Sequence, residues 1–202
     1  MSLTIIIIII TAITSYLAFN NPETFYNLKF NPYLIHHNRH LHRFFSYALI
    51  HADWMHLFVN MFVLWSFGTA VETYYEHFFG GRAPVYFMLL YVGGVMFSTL
   101  PSYGKHKNND TYNAVGASGA VSAVLFSSIL MQPQMPIIFI FFPVPIPAWI
   151  FGILYLVYSA YMAKRGTDNI GHDAHFWGAV FGLVFTFALN PAFLPGFFEN
   201  IF

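Results

Sequence analysis

Apolar residues run along this chain in long unbroken stretches, and the charged residues gather between them. Residues 1–22, 54–71, 83–104, 111–163 and 174–198 contain no Asp, Glu, Lys or Arg. At a rise of about 1.5 Å per residue, roughly 20 apolar residues cross the hydrocarbon core of a bilayer, and charge-free runs of 18 or more are candidates. The pattern predicts six transmembrane helices, at 3–19 and at about 53–75, 83–101, 115–131, 147–164 and 173–190. The first has the short apolar core of a signal peptide. It lacks a basic segment before it and a clear small-residue cleavage site after it, so it reads as a helix that stays in the membrane. Asn20, Asn21 and Pro22 end it, because Pro cannot continue a helix and Asn competes for backbone hydrogen bonds.

Residues 20–50 read as a polar and aromatic connection rich in His. The 53-residue stretch 111–163 is too long for one helix, and Pro133, Pro136, Pro143, Pro145 and Pro147 cut it. It is expected to form two helices joined by an apolar, Pro-rich surface segment. The run of Ile at 5–10 needs only a lipid-facing explanation. One domain, 1–202, without linker or repeat, accounts for the pattern, and no soluble domain is expected before the first helix.

Composition agrees. The 202 residues are 57% hydrophobic, 21% aromatic and 8% charged. Soluble domains carry about 25% charged residues, so a soluble enzyme and a disordered tail are excluded. A net charge of zero offers no basic face for phosphates and excludes a nucleic-acid partner. With no Cys there is no disulfide framework and no thiol chemistry. The fold class is therefore an all-α membrane protein, a six-helix bundle whose partner is the lipid bilayer. Its oligomeric state is not written in the sequence. Seven of the eight Lys and Arg residues fall in the 1–2, 3–4 and 5–6 connections. The positive-inside rule assigns those connections to the cytoplasm.

Polar residues inside membrane helices are costly, so each needs a reason. Ser118 lies in Gly116-Ala117-Ser118-Gly119 at the start of the fourth predicted helix. Glycines there permit a tight turn, and unpaired N–H groups at a helix N-terminus suit a developing oxyanion. Gly-Ala-Ser-Gly alone is also an ordinary small-residue packing patch. His175, Gly178 and Gly182 share a helix face, and small residues there bring a histidine against a neighbouring helix; a structural hydrogen-bonding role is the alternative. His56 and Asn60, four apart, also share a face and could donate to a negative oxygen, with an interhelical hydrogen bond the plainer role for Asn60. His51 and Asp53 are expected to cap the helix or lie at the interface. His36, His37, His40 and His42 read as an interfacial loop, without defined metal-ligand spacing, and His172 and His175 are spaced as a metal pair is. HExxH is absent, and no metal is expected.

In order along the chain, Arg43, the His51…His56…Asn60 pattern, Gly68 with Glu72, Gly116-Ala117-Ser118-Gly119, and Ala174-His175-x-x-Gly178 with Gly182 resemble the rhomboid family of intramembrane serine proteases. The six-helix layout and long first loop resemble it too, so the resemblance covers nearly the whole chain. It implies a catalytic dyad, Ser118 as nucleophile and His175 as general base, with no third acidic member. It also implies an oxyanion hole of His56, Asn60 and the Ser118 N–H. Arg43, Glu72, Gly116, Gly119, Gly178 and Gly182 would be structural support, and no cofactor is implied. Substrates would be transmembrane segments of membrane proteins, with the fifth helix as lateral gate and the loop before the sixth as cap.

By the same resemblance the location is a bacterial inner membrane with the site on the external face, opposite to the positive-inside assignment; the family topology is preferred. The chain departs from the family at Ser122, where many members place an aromatic that stacks on the catalytic His, and at His42, where a Trp often precedes the loop arginine. Two other readings are a catalytically inactive relative that binds transmembrane helices, and a His-lined ion transporter. The transporter needs ligands at mid-membrane, whereas these histidines lie near helix ends.

Overall fold

Residues 119–130 are buried without interruption. An apolar helix with no exposed face is enclosed by other helices rather than laid on a core by one stripe. It is the axis of the computed structural model of this chain, which describes residues 2–139, 142–166 and 170–201. In chain order the α-helices are α1 (Leu3–Phe19), α2 (Pro22–Leu28), α3 (Pro32–Asn38), α4 (Arg43–Ser46), α5 (Trp54–Phe79), α6 (Ala83–His106) and α7 (Ser118–Met131). Two strands, β1 (Pro136–Phe139) and β2 (Phe142–Pro147), precede α8 (Ala148–Arg165), α9 (His172–Leu189) and α10 (Phe193–Glu199). α7 packs against α5, α6 and α9, while α8 leans on α9 and the outer side of α7.

The chain is an all-α bundle, and each predicted long helix overlaps an observed one. Trp54–His106 is long and apolar enough to cross a membrane, with α5 and α6 separated at Gly80-Gly81-Arg82. α9 and α10 meet that measure as a pair bent by 109°, and α1 and α7 are apolar but shorter than 18 residues. Much of the outer surface is apolar: Ile9, Ile13 and Leu17 on α1, Phe58, Phe62 and Trp65 on α5, and Leu154, Val157 and Tyr161 on α8 are exposed. A belt of this kind belongs against lipid.

Three expectations change. Residues 20–50 are not merely a connection but carry α2, α3 and α4. Asn21 accepts hydrogen bonds from the Glu23 and Thr24 amides, and Asn31 accepts one from Leu34, each ahead of a Pro at the first helical position. Asn-Pro ends one helix and begins the next. The Pro-rich segment pairs as a hairpin, Pro136 opposite Pro147 and Ile137 opposite Ile146, because Pro is compatible with the edge of a two-stranded ribbon. α6 passes through Pro101, giving up one intrahelical bond, and ends with Lys105 and His106. Basic side chains suit a helix C-terminus.

Close packing follows the small residues. A Cβ added to Gly68 of α5 would lie 2.6 Å from the Thr4 hydroxyl of α1, and one on Gly94 of α6 would lie 3.0 Å from Cα of Ala120 on α7. Without a hydrophobic effect between helices in lipid, such close backbone approach is the main source of cohesion. Polar links add direction. The Tyr75 hydroxyl meets Ser127 at 3.1 Å and Thr186 at 3.3 Å, joining α5, α7 and α9. The Glu72 carboxylate accepts from the Ser2 hydroxyl and from the Leu3 (2.7 Å) and Thr4 (3.2 Å) amides, capping the first turn of α1. A negative charge at a helix N-terminus satisfies orphan donors and opposes the dipole.

Candidate active site

Ser118 is the first residue of α7, so its N–H has no intrahelical acceptor. The turn that delivers it is built by Gly116 at φ +111°, a conformation open to glycine. Any Cβ there would also enter the His56 ring, 2.5 Å from Cε1 and 2.8 Å from Nε2. The turn is held from the first loop. Ala114 exchanges both backbone bonds with Phe30, at 2.9 and 3.0 Å, and the Gly116 amide donates to the Tyr47 carbonyl at 3.0 Å.

His51 completes that hold. Wholly buried, it accepts the Ala117 amide on Nε2 at 3.4 Å and meets Ser15 Oγ with Nδ1 at 3.0 Å. Since Nε2 accepts, the proton belongs on Nδ1 and is donated to Ser15, whose hydroxyl donates on to the Leu49 carbonyl at 3.0 Å. Burial pushes His51 down to about 3; the neighbouring His56 acts in the same sense and Asp53 opposes it. His51 is therefore a neutral strut between α1 and the turn before Ser118, and of its two expected roles, helix cap or interfacial residue, it does not take the first. The cap is Asp53 alone, which accepts from the His56 amide at 2.8 Å.

His56 Nδ1 accepts the Ala52 amide at 3.4 Å, which assigns the ring proton to Nε2, the nitrogen beside Gly116. One turn along α5, the buried Asn60 donates one amide N–H to the His56 carbonyl at 2.9 Å and has a second N–H to offer. Ser118, His56 and His175 are each only partly buried.

α9 meets α7 through glycine. A Cβ on Gly178 would lie 2.0 Å from the Gly119 carbonyl oxygen, and one on Gly182 would lie 2.1 Å from that of Ala123. A Cβ on Gly119 would in turn lie 3.3 Å from the Ala174 carbonyl. Gly119 follows Ser118 and Ala174 precedes His175, so the two sequence-predicted residues flank one backbone contact. Asp173 fixes the start of α9 by accepting from the Ser102 hydroxyl of α6.

Two aromatics of α8 close the side. The Tyr155 ring stacks on His175 with centroids 6.2 Å apart and planes at 26°, and Tyr158 meets His172 edge-on at 5.4 Å. The Tyr155 hydroxyl lies 2.6 Å from Ser122 Oγ. Tyr155 has no mark in the sequence as a site residue, and His51 is marked only as part of the His51…His56…Asn60 pattern. For His51 the spacing to His56 was the available signal; for Tyr155 there was none.

The other predicted residues lie apart. Arg43 is buried in the first loop and donates to the Tyr26 and Lys29 carbonyls, both at 2.8 Å, pinning the end of α2. Glu72 is sixteen residues from His56, roughly 24 Å along α5. The four clustered histidines stay together as two ring pairs, His36 with His37 at 4.8 Å and His40 with His42 at 5.8 Å between centroids. His36 meets the Tyr103 hydroxyl at 3.2 Å, His37 packs on Tyr33, His40 receives Arg43 Nε at 3.5 Å, and His42 donates to the Asn27 carbonyl at 3.1 Å. Among the described residues no three His, Asp or Glu side chains gather as a metal site. Residues 167–169 of the expected cap lie outside the described residues.

The family model described as Rhomboid domain matches residues 38–192. RHOMBOID-like protein 12, mitochondrial, of Arabidopsis thaliana is 26% identical over 154 residues, covering 69% of this chain and 44% of that protein. Rhomboid protein 1, mitochondrial, of Saccharomyces cerevisiae is 28% identical over 148 residues, 72% of this chain and 41% of that protein. Presenilin-associated rhomboid-like protein, mitochondrial, of Homo sapiens is 28% identical over 143 residues, 66% and 34%. The chain spans less than half the length of these relatives. All three are mitochondrial by name, so the expected bacterial inner membrane is not supported.

Proposed function

The chain belongs to the rhomboid family, a family of membrane proteins, and from that premise we propose that it is an intramembrane serine endopeptidase acting on transmembrane segments of other membrane proteins. The observation that supports the reading is the close contact of α7 with α9 at Gly119, Gly178 and Ala174, the neighbours in sequence of Ser118 and His175 being among them. Ser118 Oγ attacks the scissile carbonyl as His175 takes its proton; the same imidazole then protonates the departing amine. Negative charge on the carbonyl oxygen is met by the Ser118 N–H, by His56 Nε2–H and by the Asn60 amide. Such preorganised donors each contribute about 3–4 kcal/mol to transition-state stabilisation. The neutral His51 strut keeps the Ser118 turn in place without adding a charge.

Depth supports the same reading. α7 has 14 residues, about 21 Å of helix against a hydrocarbon core of about 30 Å. With its far end near one face, Ser118 lies well below the other, where a substrate helix has to unwind to expose a peptide bond. α8 is the element through which such a helix enters, since it buries only Ala148, Gly152 and Ser159 against the bundle.

The test is cleavage of a labelled transmembrane segment by the purified protein in detergent, beside Ser118→Ala and His175→Ala. The parent cleaves and both variants do not. Undiminished cleavage by Ser118→Ala overturns the proposal. Binding without cleavage by the parent leaves an inactive relative that holds transmembrane helices.

A further inference from the structure

Position 122, one turn after the nucleophile candidate, has only a small hydroxyl, and His175 receives its aromatic neighbour from another helix. Ser122 donates to the Ser118 carbonyl at 2.8 Å. Its proton is thereby committed, so in the 2.6 Å contact with Tyr155 it is the phenol that donates. The result is a directed chain, Tyr155 O–H to Ser122 Oγ–H to the carbonyl oxygen of Ser118. The same Tyr155 stacks its ring on His175. One side chain on α8 thus reaches the base through its face and the nucleophile's backbone through its hydroxyl.

The ring is itself held on two sides. Phe126 of α7 lies 5.5 Å away and Phe151, one turn back on α8, lies 5.7 Å away, both tilted by about 50°. Tyr155 shares its helix face with Ala148, Gly152 and Ser159, the buried residues of α8. Its partners Ser122 and His175 belong to α7 and α9, so its seat exists only while α8 is docked.

We propose that Tyr155 is the positioning residue for His175, and that it makes the orientation of the base depend on α8 being seated. The proposal rests on the protease reading for its kinetic consequence but not for the contact itself. An imidazole that must accept a proton from Ser118 and pass it to an amine has to keep its ring plane fixed, and an aromatic face restrains that plane without supplying a charge. When α8 moves aside to admit a substrate helix, the stack and the hydroxyl chain are withdrawn together. Proton transfer then waits until α8 returns.

The experiment uses the full chain in detergent micelles, labelled with carbon-13 at histidine Cε1, with His175→Asn to assign the signal. Parent, Tyr155→Phe and Tyr155→Leu are compared by NMR and by cleavage of the transmembrane substrate. The His175 Hε1 signal carries the ring-current displacement of a neighbouring aromatic in the parent and in Tyr155→Phe, and loses it in Tyr155→Leu. In Tyr155→Leu kcat falls about tenfold or more with KM within about twofold, as expected when a catalytic group is misplaced but the substrate site is intact. Tyr155→Phe retains kcat to within about threefold, because the ring remains and only the hydroxyl chain is lost. A His175 signal indifferent to Tyr155→Leu overturns the proposal and leaves the protease reading standing. If the parent cleaves nothing, the protease reading fails and the resonance alone decides whether Tyr155 positions His175. Retained dispersion of the other histidine signals in Tyr155→Leu separates a local effect from unfolding.

Discussion

Gly178 of α9 stands so close to Gly119 of α7 that any side chain on the first would enter the carbonyl of the second, 2.0 Å from its oxygen. That approach sets the distance between the helix that bears Ser118 and the helix that bears His175. A methyl group is the smallest perturbation that tests it.

Gly178→Ala forces α9 away from α7. Overpacking of this kind costs about 1–3 kcal/mol, and a displacement of about 1 Å at a reacting group can cost a hundredfold in rate. Thermal unfolding in detergent and substrate cleavage are both expected to fall, activity more than stability. Gly104→Ala is the control. Nothing lies within 4 Å of a Cβ there, and replacing a helical Gly is neutral or stabilising by up to about 1 kcal/mol.

His51 predicts a pH dependence of stability. Its ordinary value is 6.5 and burial pushes it down to about 3, so protonation favours the unfolded chain. Its contribution is complete above pH 6.5 and is lost as pH falls from 6.5 toward 3, by at most about 1.4 kcal/mol per pH unit. Unfolding midpoints measured from pH 7.5 to 4 should drop more steeply for the parent than for His51→Gln. Parallel curves would count against the neutral strut.

Glu72→Ala removes the acceptor for the Ser2 hydroxyl and for two amides of the first turn of α1. Hydrogen bonds to charged groups contribute about 1.5–3 kcal/mol each, though the three share one carboxylate. A loss of about 2–3 kcal/mol in stability is expected, with cleavage per folded molecule nearly unchanged. A loss of activity at full stability would mean that Glu72 reaches the site by some other route.

Under the proposed reaction, His56→Ala and Asn60→Ala each remove a donor to the developing oxyanion. The expected fall in kcat is about a hundredfold or more for either, with KM little altered. The double variant should lose less than the product of the two, since both act on one oxygen. Steady-state kinetics on a soluble or micellar peptide ester separates the two constants.

The long helices were legible because their signal is local. Charge-free runs and the breaks between them depend on neighbours in sequence, and α1, α5, α7 and α9 begin within three residues of where the pattern puts them. The short helices of the first loop were written in Asn21-Pro22 and Asn31-Pro32, a cap followed by a preorganised first residue. The first pair reads as the end of α1, and the second lies in what the pattern leaves as a connection. The hairpin before α8 was masked because Pro marks an interruption without saying what fills it.

At the candidate site the glycines were the readable part. Gly116, Gly119, Gly178 and Gly182 advertise places where backbones come together, and each does meet another element. His51 was misjudged because its partners, Ser15 and Ala117, are 36 and 66 residues away. Tyr155 carried no signal at all: among 13 tyrosines in an aromatic-rich chain, nothing in its neighbourhood distinguishes it.

The sequence by itself determined the solvent, the helices and which polar residues fall within them. These follow from transfer free energies and helical spacing, which act over a few residues. Only the tertiary structure decided which helix supplies the ring against His175, which histidine braces the Ser118 turn, and how far apart α7 and α9 stand. Those depend on how whole faces dock. A hydroxyl on Ser15 or Ser122 is neutral in any local pattern until packing brings its partner within 3 Å.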